Sequence, residues 1–247
     1  MQLQRFITIC AAITIHITLI AQKDPATTEV WKPEVKVVTP GKTNTDAPSD
    51  AIVLFDGKSG SNWQQKKGGD LQWTLADGAM TVKPGTGDIQ TKQKFGDCQL
   101  HIEWRIDKNV KGTGQDRGNS GIFLMGHYEV QVLDNFNNEN KTYVNGQAGS
   151  MYKQSPPLVN VCKAPGEWQT YDIIFTAPRF SEKGGVIIPA KITVIQNGVL
   201  VQNNTTIWGT TFYIGSPTYE QHEAKEPISI QDHSHLTSFR NIWVREL

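Results

Sequence analysis

From Ala51 onward, apolar and polar residues alternate in short runs, and no segment keeps a helical period for a convincing length. In DCQLHIEWRI, Leu100, Ile102, Trp104 and Ile106 take one side while His101, Glu103 and Arg105 take the other. Strand side chains point alternately to two faces, so this spacing predicts a strand with one dry and one ionisable side. GNSGIFLMGHYEVQVLDN, Gly118 to Asn135, predicts two strands joined at Met125-Gly126-His127. The second of them sets Glu129 and Gln131 on one face and Tyr128, Val130 and Val132 on the other. A dry face backed by a polar one is expected to hold both groups, so that Glu103, Arg105, Glu129, Gln131, Gln231 and His233 share a single polar sheet surface.

The remaining runs read the same way. AIVLFDGKS is an apolar strand ending in an Asp-Gly turn, and LQWTLADGAMTVKPG gives two strands around Asp77-Gly78. KITVIQNGVLVQN places Asn197-Gly198 between β-branched arms, a strong signal for a two-residue hairpin turn. EWQTYDIIFTA, ISIQDH and SFRNIWVREL supply further strands. Phe136 to Leu158 carries too many Gly and Pro residues for a regular element, and long irregular segments of this kind often form the lip of a site. About a dozen strands joined by turns predict an all-β sandwich of two antiparallel sheets.

Composition narrows the function. The 247 residues carry a formal net charge of zero, with Lys and Arg scattered, which removes the electrostatic case for a nucleic-acid partner. Twenty-two Gly, 12 Pro and seven Trp suit short strands and turns. Residues 1–21 have the pattern of a secretory signal: Arg5, a mostly apolar run from Phe6 to Ile20, then Ala21. The run is too short and too interrupted to predict a stable membrane span, so an exported, periplasmic or extracellular protein is expected. Residues 22–50, rich in Thr, Pro, Lys and Asp, read as a linker or a tail lying on the domain, with Val35 to Val38 expected to add an edge strand. The domain itself is expected over residues 51–247. In an oxidising compartment Cys98 and Cys162 have two readings, a disulfide or two buried thiols, and spacing does not choose between them.

Several segments, in order, resemble the 3-keto-disaccharide hydrolase domain family: LFDGKS with Asn62-Trp63, CQLHIEWR, RGNSGIFLMGHYEVQVLDN, GQAGSMYKQSPPLVN, PGEWQTYDIIFTAPRF, VIQNGVLVQN and IQDHSHLTSFRNIWVREL. They span Ala51 to Leu247. One departure is Ser234, where that family often has Gly after the QDH triplet. The resemblance implies a concanavalin A-like jelly roll and a carbohydrate-active protein that cleaves glycosides already oxidised at C3.

The residues allow that chemistry. A C3 ketone acidifies the C2 proton, so a single base can drive departure of the C1 substituent, and water then adds to the unsaturated product. Glu129 is the expected base, with Arg105 or Arg117 steadying the enolate and His233 or Asp232 as acid. Asp134, five residues beyond Glu129, would reach the same face only across a bulge. EVQVLD is also similar to the E-x-D-x-x-E signature of retaining β-glucanases, but Gln131 replaces the middle acid. Glu103, Arg105, Arg117, Asn119, Gln131, Tyr152 and Gln231 are expected to bind substrate, Tyr152 against a sugar ring. No cofactor or metal is expected, because His233 and His235 lack an evident third ligand.

Each candidate also has a structural reading: a cross-strand ion pair for Glu103 and Arg105, loop bonds for Asn119 and Ser120, a turn for Asp232 and His233. Most tryptophans read as core. Two other functions stay open: a non-catalytic carbohydrate-binding module, and a conventional glycosidase acting on unoxidised glycans. The sequence carries no signal for oligomeric state.

Overall fold

The computed structural model describes residues 25–247, so the signal-like segment lies outside the described residues. The described residues divide into two units at Val37 and Val38, residues 25–37 and 38–247. The described part of the first contains one short 3-10 turn, Pro25–Thr28. The expected edge strand at Val35 to Val38 does not form. Among the described residues no helix is long and apolar enough to cross a membrane.

The second unit is a β-sandwich. Strands β1 (Ile52–Phe55), β2 (Trp63–Gln65), β3 (Thr74–Ala76) and β4 (Ala79–Thr81) open it, followed by β5 (Ile89–Phe95) and β6 (Cys98–Ile106). The central pair is β7 (Ser120–Leu124) and β8 (Tyr128–Val132). After the long excursion come β9 (Gln169–Thr176), β10 (Arg179–Phe180), β11 (Val186–Ile188), β12 (Lys191–Gln196) and β13 (Val199–Thr206). β14 (Glu226–Ile230) and β15 (Thr237–Glu246) close the set.

One sheet has eight strands, in the order β13-β12-β9-β6-β15-β4-β3 with β1 also paired to β15. The other has five, in the order β2-β5-β14-β7-β8, and β10 and β11 form a separate ribbon. The pairings are antiparallel, so the all-β jelly-roll class expected from the alternation is the one observed.

Turn chemistry sets the hairpins. Asp77-Gly78 and Asn197-Gly198 both adopt positive φ at both positions, the backbone that a tight two-residue hairpin requires. The β7–β8 turn does the same with Met125 and Gly126. Ser234 adopts φ 63 without being glycine. The Asp232 side chain accepts a hydrogen bond from the Ser234 N–H at 2.9 Å, which holds this strained turn.

The core lies between the two sheets. Leu100, Ile102 and Trp104 of β6 meet Tyr128, Val130 and Val132 of β8 in one apolar cluster. Trp63, Trp73, Trp104 and Trp243 are buried, while Trp208 is exposed. Cys98 and Cys162 are both free thiols, and burial raises Cys98 to about 12 and Cys162 to about 11. Of the stretch before β1, residues 38–50 dock on β15: Asn241 and Trp243 each donate to the Thr45 carbonyl at 2.9 Å, and Arg245 pairs with Asp50 at 2.8 Å.

Candidate functional site

Because Tyr128, Val130 and Val132 fill the core, Glu129 and Gln131 point from the five-stranded sheet away from it. The register of β7 with β8 is unbroken from Ser120↔Val132 to Leu124↔Tyr128. It sets Gly121 opposite Gln131 and Phe123 opposite Glu129. That face is not left to solvent. The excursion after β8 returns to pair with its free edge, with Tyr152 N–H donating to the Glu129 carbonyl at 3.1 Å and Gln131 N–H to the Ser150 carbonyl at 3.0 Å, and so brings Tyr152 beside Glu129. The result is a cavity of about 230 Å³ lined by Asn119, Phe123, Glu129, Gln131 and Tyr152, with Thr211, Tyr213, Gln231 and His233 completing the wall.

Glu129 dominates this cavity. It is 5% exposed, and among the described residues no hydrogen bond or ion pair reaches its carboxyl group. Burial, with a smaller contribution from the charge on Asp88, pushes its pKa up to about 8. Space for the carboxyl comes from Gly121, where an added Cβ would stand 2.5 Å from Glu129 Oε1 and 2.8 Å from a ring carbon of Phe123. Around it the polar side chains are fixed. Gln131 donates to Gln115 Oε1 at 2.8 Å, and its own oxygen accepts from the Val132 N–H. Asn119 donates to the Gln115 carbonyl at 2.8 Å, leaving its side-chain oxygen buried without a protein partner. Burial and the neighbouring His235 lower the His233 pKa, so its imidazole is neutral at pH 7.

Six expected residues therefore meet: Glu129, Asn119, Gln131, Tyr152, Gln231 and His233. The others are elsewhere, and the expectation of one shared polar surface is corrected. Glu103 and Arg105 lie on β6, whose Ile102 and Trp104 face the core, so they occupy the outer face of the opposite sheet with the whole core between them and Glu129. There Glu103 pairs across strands with Arg240 at 2.6 Å and accepts from Asn241 at 3.0 Å, while Arg105 stacks on Trp168 at 4.5 Å. No bulge brings Asp134 round to Glu129. Asp134 lies beyond β8, in a 2.7 Å ion pair with Arg117 that lines a different hollow. Asp232 spends both oxygens on the backbone N–H groups of Gly87 and Ser234.

Sequence reasoning passed over Gly121, Phe123, Thr211, Tyr213 and Tyr143. Thr211 and Tyr213 come from the irregular stretch between β13 and β14, where periodicity has nothing to report. Among the described residues no cluster of three or more His, Cys, Asp or Glu side chains is arranged to hold a metal ion.

Two antiparallel sheets, with a polar cavity over the outer face of the smaller one, define a jelly-roll β-sandwich. The chain belongs to the 3-keto-alpha-glucoside-1,2-lyase-like domain family, whose model matches residues 50–245. It is similar to a crystal structure from Parabacteroides distasonis ATCC 8503 that carries the name "putative glycosyl hydrolase". The two are 55% identical with a TM-score of 0.86, over 91% of this chain and 97% of that one. Two more structures of the same name and organism share the fold at 19% and 21% identity, with TM-scores of 0.57 and 0.54. Each covers 80% of this chain, and 94% and 99% of its own. No curated protein matches the chain.

Proposed function

We propose that this protein cleaves glycosides bearing a ketone at C3, by elimination across C1 and C2 followed by hydration. The observation that carries the reading is Glu129: a carboxyl without protein partners, in a cavity, with a pKa near 8. A base tuned to the operating pH removes a carbon-bound proton best, and burial supplies that tuning here. In the first half-reaction the Glu129 carboxylate takes the C2 proton, and the electron pair expels the C1 substituent. In the second, water adds at C1 and Glu129 returns a proton to C2. Among the described residues no Lys or Arg lines the cavity, so the donors open to the C3 oxygen are neutral ones, Gln231 and Tyr213 among them. A neutral His233 suits a sugar hydroxyl.

Displacement on an unoxidised glycoside needs two carboxyl groups, about 5–10 Å apart, flanking the bond. Glu129 is the one carboxyl among the cavity-lining residues, which favours elimination.

The test offers the protein 3-keto-trehalose and plain trehalose in D₂O, following glucose release and deuterium at C2. Release with deuterium uptake, from the ketone alone, is the expected result. Release from plain trehalose without uptake would replace this reading with direct displacement. Binding without release would reduce the protein to a carbohydrate-binding module. The rate on the ketone should climb as pH approaches about 8 and level off above it, as Glu129 loses its proton.

A further inference from the structure

The proposed elimination leaves one proton without a donor, the one that the departing C1 oxygen must gain. Asp232 has both oxygens committed to backbone N–H groups, and His233 is neutral at pH 7. Another hydroxyl stands in the cavity wall. Tyr152 is 8% exposed and begins the turn after Met151, which bridges to Val130 of β8, and its backbone N–H is bonded to the Glu129 carbonyl, so base and phenol line the same cavity from neighbouring segments.

The Tyr152 phenol is not alone. Its oxygen is 2.6 Å from that of Tyr143, and either can donate to the other. Tyr143 is 39% exposed, so the pair runs from the cavity wall toward solvent. Lys153 completes the group. Its ammonium lies 5.9 Å from the centre of the Tyr152 ring, 5.7 Å from Tyr143 and 4.4 Å from Tyr213, and it donates to the Tyr213 carbonyl. Lys153 reaches this place with φ 58, a left-handed backbone that a non-glycine residue seldom adopts. Strained backbone of this kind gathers at working sites. Burial, the Tyr143 hydroxyl and the Glu129 charge raise the Tyr152 pKa, so the phenol keeps its proton at the working pH, and the Lys153 cation beside the ring eases its loss as the leaving oxygen takes it.

We propose that Tyr152 is the acid that protonates the leaving group, with Tyr143 and Lys153 as the positioning residues that support the phenolate so formed. The inference rests on the elimination reading of the site. As the C1–O bond breaks, its electron pair stays on the leaving oxygen, which takes the Tyr152 proton. Tyr143 then donates its hydrogen bond to the Tyr152 phenolate. In the hydration half, water forms the new C1–O bond, its surplus proton restores the Tyr152 hydroxyl, and Glu129 protonates C2. Both groups end as they began, and the sum is cleavage by one water molecule.

Leaving groups that need a proton and leaving groups that do not separate this role from a structural one. Tyr152→Phe and Tyr143→Phe are compared with the parent protein in D₂O, on a 3-keto disaccharide and on 3-keto p-nitrophenyl glucoside. For Tyr152→Phe, release from the disaccharide should fall about 100-fold or more, the usual scale of general acid catalysis. Nitrophenolate, which leaves unprotonated, should be released within about tenfold of the parent rate on the same scale. Uncleaved disaccharide recovered with deuterium at C2 would show that Glu129 still works. Tyr143→Phe should show the same split, weakened to about tenfold. Equal losses on both substrates, loss of C2 exchange together with release, or undiminished disaccharide release would each overturn the assignment. A parent protein that neither exchanges nor releases would instead sink the elimination reading, and this inference with it.

Discussion

The two outer faces of the sandwich each carry a buried glutamate, and they are opposites. Glu103 is 7% exposed and Glu129 5%, so burial alone does not separate them. At Glu103, burial would raise the pKa, but hydrogen bonds from His101, Asn241 and Arg240 overcome it and hold the carboxylate at about 2. At Glu129 nothing answers burial, and the pKa climbs to about 8. The cluster around Glu103 continues through His101, which is fully buried, stacks on Trp243 at 5.3 Å and bonds Asp172 at 2.7 Å. Burial disfavours the His101 cation, and the two carboxylates more than offset that, so its pKa is raised. A satisfied charge network locks a sheet face in place. An unsatisfied acid keeps reactivity at the expense of stability.

The sharpest break in this contrast is Glu129→Gln. Activity on a 3-keto glycoside should fall by about 1,000-fold or more, since removal of the base leaves only binding and orientation. Stability should move the other way. A carboxyl whose folded pKa is raised destabilises the fold progressively as pH rises from its unfolded value toward about 8. Relative to the parent, the variant should therefore gain stability between pH 5 and pH 8 and keep a gain of a few kcal/mol, by order of magnitude, above that. Denaturant melts at pH 5 and pH 9 read the sign.

Glu103→Gln inverts the pattern. It takes the carboxylate from Arg240, while His101 keeps Asp172, and breaking such a pair costs about 3–5 kcal/mol when fully buried; Arg240 is 41% exposed, so about 2–3 kcal/mol is expected here. The turnover of the folded fraction should stay unchanged. Glu103 has a depressed pKa, so its contribution is complete above its unfolded value and is lost as pH falls toward about 2. Acid titration of the parent should show this loss below pH 4.5, and the variant should not. If Glu103→Gln removed activity without changing stability, the division between the two faces would fail.

Gly121→Ala sharpens the contrast on the Glu129 side. The new methyl would meet the end of the Glu129 side chain at 2.5 Å and the Phe123 ring at 2.8 Å, and both must shift to admit it. The protein should fold, with a rate lowered about tenfold by the displaced base. The smallest effect belongs to Ser234→Gly. It relieves a left-handed backbone held by Asp232, and a gain of about 0.5–1 kcal/mol in thermal or denaturant unfolding is expected, with little change in rate.

The strands and their two-sidedness were legible in the chain because a period of two is a local property. Leu100, Ile102 and Trp104 face the core, as do Tyr128, Val130 and Val132, and the Asp77-Gly78 and Asn197-Gly198 turns fall where their φ requirement places them. The same alternation also marked Glu103 and Glu129 as outward-facing. Which outside each one faces is not a local property. That depends on β6 joining the eight-stranded sheet and β8 the five-stranded one, a matter of pairing between strands far apart in sequence.

What the amino-acid order determined by itself is therefore the element type, the hairpin turns and the dry side of each strand. Only the tertiary structure decided that Glu129 meets Tyr152, Gln231 and His233, while Glu103 meets Arg240 and His101. The physical reason is that a carboxyl group's chemistry is set by the groups within a few ångströms of it. Those neighbours arrive from segments as distant as Tyr213 and Gln231, whose positions follow from the packing of the two sheets and not from any pattern along the chain.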